Sequence, residues 1–176
     1  DDVATEVSIT DFGRRAIMTA RQTFSQRIRD IEKDNITAAY NELIGEIVVG
    51  EIYQIRRREV LVIHNEVELI LPKDEWIYKD RYRKGDMIRA VVRDVHREAG
   101  GTPQVIISRS APVFMERLFE IEVPEIYDGI VEIKKIVREP GDRAKVAVVS
   151  HDERIDPVGA CVGMKIIVET HRKWLP

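Results

Sequence analysis

The chain of 176 residues has little cysteine, no long hydrophobic run and no excess of basic residues. The single cysteine, Cys161, cannot form a disulfide within the chain, and the N-terminal residues do not resemble a signal peptide, which favours a cytoplasmic protein. The longest apolar runs, such as residues 60–63, fall far short of the ~20 residues of a spanning helix, so we expect no membrane partner. The net charge of −3 argues against binding nucleic acid through overall charge, so any basic surface must be local.

Catalytic and metal-binding patterns are also missing from the sequence. The four histidines are scattered, none with the spacing of a metal-ligand pair, and one cysteine cannot build a thiolate site. The chain has no glycine-rich phosphate loop followed by Lys-Ser/Thr and no Gly-x-Ser-x-Gly motif. We therefore predict that the protein is not an enzyme and has no cofactor.

The spacing of apolar residues changes twice along the chain and divides it into three segments. In the first, residues 1–43, apolar residues recur at intervals of three and four, which predicts a helix over residues 14–34. This stripe consists of Ile17, Ala20, Phe24, Ile28 and Ile31. Because residues 1–11 are too few for a domain, we expect this helix to pack on its neighbours or on protein outside this sequence.

The second segment, residues 44–110, contains five short runs rich in β-branched residues. The predicted strands cover residues 45–52, 60–63, 67–71, 86–95 and 104–108. The segment has no room for helical crossovers, so we predict a closed, five-stranded antiparallel β-barrel of the OB-fold type. It holds twelve basic and eleven acidic side chains, and it is the one segment with a basic balance.

The third segment, residues 111–176, predicts an incomplete α+β domain. Ser110 is placed to cap a helix that opens with a proline, and Asp156 precedes a second helix start. Between the two helices, strands at residues 130–137 and 145–150 flank a Pro-Gly turn, which predicts a hairpin.

Two groups of arginine residues in the barrel are candidate RNA contacts. Arg56, Arg57 and Arg58 lie in the predicted turn between the first two strands, where a barrel places a binding loop, and they are suited to contact phosphates. The competing interpretation is a turn that charge keeps soluble. Arg89 and Arg93 share one face of the fourth strand, which is either a basic stripe or only the solvated side of the strand.

Aromatic residues of the barrel are candidates for stacking on RNA bases. These are Tyr53, Trp76, Tyr78 and Tyr82. Trp76 has a second interpretation, as a plug at the end of the barrel, because large aromatic side chains are mostly buried.

A further candidate contact lies near the end of the third segment. Gly163, Met164, Lys165 and Ile166 are similar to the Gly-x-x-Gly loop with which KH modules approach an RNA backbone, although the second glycine is missing. We predict RNA contacts from the first three of these residues. The alternative is that Gly163 only ends a helix.

Four stretches, taken in order, resemble the NusA family of bacterial transcription factors. They lie at residues 108–112, 118–129, 138–148 and 156–163, and the resemblance extends from residue 11 to residue 165. It implies the end of a polymerase-binding N-terminal domain, the family's S-one RNA-binding barrel and the opening part of a type II KH domain, the first of the family. It also implies RNA polymerase and nascent single-stranded RNA as partners, with roles in pausing, termination and antitermination.

One departure from the family bears on how RNA is bound. In many S-one domains the second strand carries exposed aromatic residues, whereas residues 60–64 carry none. The resemblance therefore implies that base stacking is weaker here or displaced to another part of the barrel.

The prediction is thus a multidomain, RNA-binding transcription factor built from a helix, an OB-fold barrel and part of a KH domain. The alternative is a protein-docking scaffold without RNA contact, which the mild acidity of the chain favours. An exoribonuclease of the polynucleotide phosphorylase type also combines these modules, but it places KH before the barrel and adds a phosphorolytic core.

Overall fold

The fold consists of a long helix, a five-stranded barrel and a small α+β unit. A computed structural model describes residues 13–97 and 101–162. Within these residues, none of the helices is long and apolar enough to cross a membrane. A short 3₁₀ helix, Lys73–Glu75, follows the third strand. The other elements are α1 (Arg14–Glu42), β1 (Ile47–Ile55), β2 (Glu59–His64), β3 (Val67–Pro72), β4 (Met87–His96), β5 (Gln104–Ser108), α2 (Pro112–Glu122), α3 (Pro124–Tyr127), β6 (Val131–Glu139), β7 (Arg143–Ser150) and α4 (Pro157–Cys161).

Helix α1 runs beyond the predicted end at residue 34, because its second half packs on the barrel. Tyr40 is buried, and its hydroxyl oxygen lies 2.7 Å from Nδ1 of His64 in β2. The predicted apolar stripe lies in the first half, where the described residues do not cover it. Exposure there reaches 43% at Ile17 and 70% at Phe24. The two halves of one helix therefore have different environments.

Strands β1 to β5 form a closed barrel in the order β1-β2-β3-β5-β4, which confirms the predicted OB-type barrel. Four of the five neighbouring pairs are antiparallel, and the pair of β3 with β5 is parallel. An odd number of strands cannot alternate direction all the way around a closed ring. The predicted antiparallel barrel must therefore contain one parallel pair of strands.

The inside of the barrel is a continuous apolar core. Val60, Leu69, Leu71 and Val105 have no exposed surface. Val, Leu and Ile side chains on the inner face of each strand fill a five-stranded barrel without leaving a channel. The barrel is therefore a packed support, and the polar residues that can bind a ligand lie on its outside and in its connections.

Two β-bulges bend strands of the barrel and expose a side chain each. The register with the neighbouring strand shifts on either side of Tyr53 in β1 and of Arg93 in β4. A bulge inserts one residue that has no partner across the ladder. Both inserted residues are exposed, Tyr53 to 50%.

In the α+β unit, β6 and β7 form the predicted hairpin, and α2 and α3 pack on it. The core of this unit includes Phe119, Val123 and Val131. The predicted cap of α4 is also confirmed, since the Asp156 carboxylate accepts a hydrogen bond of 3.1 Å from the backbone N–H of Val158.

The predicted cap of α2 is wrong. Ala111 occupies the N-cap position, and no side chain caps this helix. The Ser110 hydroxyl instead donates to the carboxylate of Glu75 at 2.7 Å. A hydrogen bond from a hydroxyl to a carboxylate is stronger than the neutral bond in which the same oxygen would accept a helix N–H, and Glu75 lies far from Ser110 in the sequence.

Candidate nucleic-acid interface

The β1–β2 turn presents the first predicted group of arginines on the outside of the barrel. Arg56 is paired there, with Nη1 2.7 Å from Oε1 of Glu59. Arg57 and Arg58 are exposed, and neither has an ion-pair partner among the described residues. Two of the three predicted phosphate contacts in this turn are therefore available to a ligand as they stand.

The predicted arginines of β4 are engaged in ion pairs. Nη1 of Arg89 lies 3.6 Å from the carboxylate of Glu122 in α2, and Arg93 pairs with the buried Glu75. The bulge at Arg93 also breaks the alternation on which a shared face depends. RNA contacts by Arg89 and Arg93 remain a prediction, and they would compete with these carboxylates.

The predicted contacts in the third segment, Gly163, Met164 and Lys165, lie outside the described residues. The described chain approaches them through α4, whose C-cap is Val162. Nothing in the structure bears on the geometry of this loop, and its role remains a prediction.

The four candidate aromatic residues fall into two pairs. The rings of Trp76 and Tyr82 contact each other with centroids 5.3 Å apart, and Nε1 of Trp76 donates to the carbonyl of Leu71 at 3.1 Å. Burial raises the pKa of Tyr82, and the charge of nearby Asp80 adds to the effect. Trp76 is half-buried and packs against the barrel core, which favours its second interpretation, as a plug.

Tyr53 and Tyr78 are the two exposed members of the set, at 50% and 72%. Each has a lysine ammonium over its ring. Nζ of Lys84 lies 5.5 Å from the centroid of Tyr53, and Nζ of Lys79 lies 5.3 Å from that of Tyr78. A ring beside a cation is the combination that holds a base together with its phosphate.

The outer face of β2 and β3, where OB folds commonly bind their ligand, is a mixed-charge groove of about 880 Å³. Three glutamates, two arginines and one histidine line it, and Ile36 of α1 closes one side. Both arginines are already paired, Arg56 with Glu59 and Arg97 with Asp34. The groove therefore offers an RNA phosphate little free positive charge.

A buried ion pair connects the barrel to the α+β unit. Arg109, directly after β5, is fully buried, and its Nε donates to Oδ2 of Asp80 at 2.9 Å. Nη1 of the same guanidinium donates to the carbonyl of Arg89. The group lies 5.3 Å from the ring centroid of Phe114 in α2, so it contacts both units.

Arg138 of β6 approaches the same place from the hairpin. Its Nη1 donates to the carbonyl of Ala111 at 3.4 Å, and burial, followed by the charge of Arg109, lowers its pKa. Nη2 of Arg109 and Nε of Arg138 are buried without a hydrogen-bond partner among the described residues. Two guanidinium groups thus share this interface with the carboxylate of Asp80.

The tip of the β6–β7 hairpin makes the third contact between the units. Gly141 has a φ of +82°, and a Cβ built on it would lie 2.6 Å from Cγ2 of Ile77. Next to it, Asp142 pairs with Nζ of Lys79 at 3.2 Å. We call the combined contacts of Arg109, Arg138 and Gly141 between the two units the joint.

Sequence reasoning missed four basic residues in the long connection between β3 and β4. Lys73, Arg81, Arg83 and Lys84 are exposed, and none has an ion-pair partner among the described residues. A signal for them existed, since three cations surround a tyrosine at residues 81–84. Basic residues interleaved with aromatic ones are a pattern of single-strand binding.

Comparisons with known proteins match both ends of the chain. Residues 1–34 match the family described as the NusA N-terminal domain, and residues 109–169 match the family described as the NusA-like first KH domain. A solved structure of a multidomain protein with nucleic acid binding domains from Streptococcus pneumoniae is 15% identical. It covers 37% of this chain and 20% of that chain with a TM-score of 0.27, which is too low to support an argument.

Two curated relatives match nearly the whole chain. Over 165 residues, 94% of this chain, it is 43% identical to the transcription termination/antitermination protein NusA of Halalkalibacterium halodurans. It is 40% identical over the same share to the protein of that name from Bacillus subtilis. The chain spans 43% and 44% of the lengths of these relatives. With this identity across the helix, the barrel and the α+β unit, the chain belongs to the NusA family.

Proposed function

We propose that this chain binds single-stranded RNA as part of a transcription termination and antitermination factor, and that it performs no chemistry on the RNA. The names of the two relatives support the role in transcription, and the match to a first KH domain supports RNA as the ligand. One observation carries the proposal. Arg57 and Arg58 are exposed, without an ion-pair partner in the part of the chain that the structure describes, on the connection with which OB folds bind oligonucleotides.

The contacts that we propose follow from this arrangement. Arg57 and Arg58 bind phosphates, and Arg56 joins them when RNA displaces Glu59 from it. Backbone groups at Gly163, Met164 and Lys165 hold a further stretch of the strand, as a KH loop does. Phosphate contacts fix the position of the RNA and carry no sequence preference.

A double variant tests the proposal, Arg57→Gln with Arg58→Gln. We expect its affinity for single-stranded RNA to fall by a similar factor for different sequences. We also expect the slope of log K against log salt to become shallower by about 1.4, since each phosphate contact to a single strand contributes roughly 0.7. The measurement is fluorescence anisotropy of a labelled RNA over a series of salt concentrations.

The matched control removes two arginines that are exposed but paired, Arg143→Gln with Arg154→Gln. In the α+β unit these residues pair with Glu139 and Asp152. The control should keep the slope of the unaltered chain. A loss that depends strongly on RNA sequence, or a chain that binds no RNA at any salt concentration, would contradict the proposal.

The apolar stripe of α1 favours a second function, docking on protein. Its exposed residues include Phe24 at 70% and Ile31 at 47%, on a helix whose first half the described residues leave uncovered. We propose RNA polymerase as the partner, as the resemblance to the family implies. Phe24→Glu should abolish co-purification with polymerase and leave RNA affinity unchanged. A pure scaffold would instead show no saturable RNA binding.

A further inference from the structure

The connection between β3 and β4, residues 73–86, has nearly balanced charge in the sequence. Its cations are Lys73, Lys79, Arg81, Arg83 and Lys84, and its carboxylates are Asp74, Glu75, Asp80 and Asp86. The net charge of this segment alone therefore gives little indication that it attracts RNA. The structure separates these charges between the inside and the outside of the molecule.

Two of the four carboxylates point inward and are neutralised by groups from outside the connection. Glu75 is 7% exposed; it pairs with Arg93 and accepts hydrogen bonds from the hydroxyls of Ser108 and Ser110. The side chain of Asp80 is 4% exposed and pairs with Arg109. Both carboxylates are therefore buried and paired with arginines from outside the connection.

The outer side of the connection is therefore basic. Lys73, Arg81, Arg83 and Lys84 are exposed and have no ion-pair partner among the described residues. Two carboxylates, Asp74 and Asp86, remain with them on the outside. An unpaired surface cation loses little solvation before a phosphate reaches it, whereas a paired one must first give up its carboxylate.

Two contacts join this connection to the β1–β2 turn and to the end of β1 before it. The backbone N–H of Lys73 donates to the carbonyl of Arg58 at 2.8 Å, and Nζ of Lys84 lies 5.5 Å from the ring centroid of Tyr53. The arginines of the turn and the cations of the connection therefore adjoin each other. We call the combined set the connection surface; it consists of Arg57, Arg58, Lys73, Arg81, Arg83 and Lys84.

At its other end the connection reaches the α+β unit. Ile77 and Tyr78 contact Gly141 at the hairpin tip, and Lys79 pairs with Asp142. A single-stranded RNA that follows the connection away from the β1–β2 turn would therefore arrive at the β6–β7 hairpin.

We propose that RNA binds the barrel along the connection surface, with phosphates on its cations and a base stacked on Tyr53, and not in the groove on the outer face of β2 and β3. The inference rests on the proposed function, since it names the surface that performs it. The ring of Tyr53 favours RNA over an acidic protein, because stacking on an exposed ring beside a cation suits a base and its phosphate. The groove, by contrast, has three glutamates and two paired arginines.

The first experiment removes three charges of the connection in the full chain, with Lys73→Gln, Arg83→Gln and Lys84→Gln. The probe is a labelled single-stranded RNA of about 12 nucleotides, within the roughly 4 to 16 that one OB fold covers. We expect the slope of log K against log salt to become shallower by about 2. The control removes three exposed arginines of α1, with Arg14→Gln, Arg15→Gln and Arg21→Gln, and should keep its slope.

The outcomes distinguish this inference from the proposed function. If the unaltered chain binds RNA and the triple variant behaves like the control, the surface is wrong and the proposed function stands. If the unaltered chain binds no RNA, the proposed function fails and the surface fails with it. Circular dichroism of each variant confirms that the substituted chain is folded before it is titrated.

The second experiment separates RNA from other polyanions. Tyr53→Leu should lower RNA affinity by roughly five- to a hundredfold and leave the salt slope unchanged, because stacking is not electrostatic. Tyr127→Leu, at a tyrosine of the α+β unit that is 79% exposed, is the control and should have no effect. If Tyr53→Leu also has no effect, and poly-glutamate competes as well as RNA of equal charge, the surface is a docking site for acidic protein and the inference is overturned.

Discussion

The joint and the connection surface are built from the same kinds of residue in opposite environments. At the joint, Arg109 and Asp80 are buried and paired. On the connection surface, Arg57 and Arg83 are exposed and have no ion-pair partner among the described residues. The comparison shows that a count of charges cannot locate the positive field of this protein. One side of the barrel is basic because some of the barrel's carboxylates are buried and paired with arginines.

The two environments also assign the charges to different tasks. A buried pair gains little net stability, because desolvation offsets most of the attraction, but removing one partner leaves a charge that water cannot reach. An exposed cation contributes little to folding and remains available to a ligand. The joint should therefore respond to substitution in stability, and the connection surface in RNA binding.

The largest expected effect tests this contrast with one substitution made in both places. Arg109→Met should lower the free energy of unfolding by about 3–5 kcal/mol, because it leaves the buried carboxylate of Asp80 without that cation. Arg58→Met should change the free energy by less than about 0.5 kcal/mol, as exposed substitutions do. Urea unfolding followed by circular dichroism measures both.

A conservative partner sharpens the same comparison. Arg109→Lys keeps the charge but loses the planar group that donates to both Asp80 and the carbonyl of Arg89. Arg109→Lys should recover part, but not all, of the unfolding free energy that Arg109→Met loses. Equal stability of Arg109→Met and Arg58→Met would show that the joint does not depend on its buried charge.

A smaller effect is expected at the hairpin tip. Gly141 and Gly85 both have positive φ, +82° and +90°, so alanine strains the backbone at either position. A Cβ at Gly85 meets nothing within 4 Å, whereas one at Gly141 meets Ile77. Gly85→Ala should therefore cost about 1 kcal/mol. Gly141→Ala should cost about 2–3 kcal/mol, once the displaced packing is added.

Equal losses in the two alanine variants would mean that the hairpin tip does not press on the barrel. The same urea unfolding experiment measures this difference. Because the backbone strain is nearly matched, the excess in Gly141→Ala reports the contact between the units alone.

The sequence predicted most of the fold because the information for strands and turns is local. Runs of β-branched residues mark the barrel strands, and the Pro-Gly turn marks the hairpin at residues 139–143. Asp156 caps its helix from two residues away, so the pattern and the contact lie in the same short stretch.

The candidate site was less predictable because its partners lie far apart in the sequence. The sequence around Ser110 does not indicate that its hydroxyl bonds to Glu75. The sequence around Arg93 likewise does not indicate that Arg93 pairs with the same carboxylate. The extension of α1 to Glu42 likewise depends on Tyr40 packing against β2, which the spacing of apolar residues does not show.

The contact of α1 with the barrel differs from the joint in containing a group that titrates near neutral pH. The Tyr40 hydroxyl donates to the carbonyl of His64 at 3.1 Å, so the contact of 2.7 Å with Nδ1 requires the ring to donate there. Nε2 then lies as an acceptor 3.4 Å from the amide nitrogen of Asn65. A second proton on the ring, at Nε2, would face that amide nitrogen.

The smallest expected effect is therefore a pH dependence at this contact. Burial lowers the pKa of His64 in the folded chain, so the unfolded chain takes up a proton first as the pH falls. The stability contributed by the neutral ring is complete above the unfolded pKa of about 6.5 and decreases as the pH falls from there toward the lower pKa of the folded state. Urea midpoints of the unaltered chain and of His64→Gln, measured between about pH 7.5 and pH 5, should diverge, with the steeper fall in the unaltered chain. Identical pH profiles in the two proteins would contradict a titratable contact between α1 and the barrel, and with it this difference from the joint.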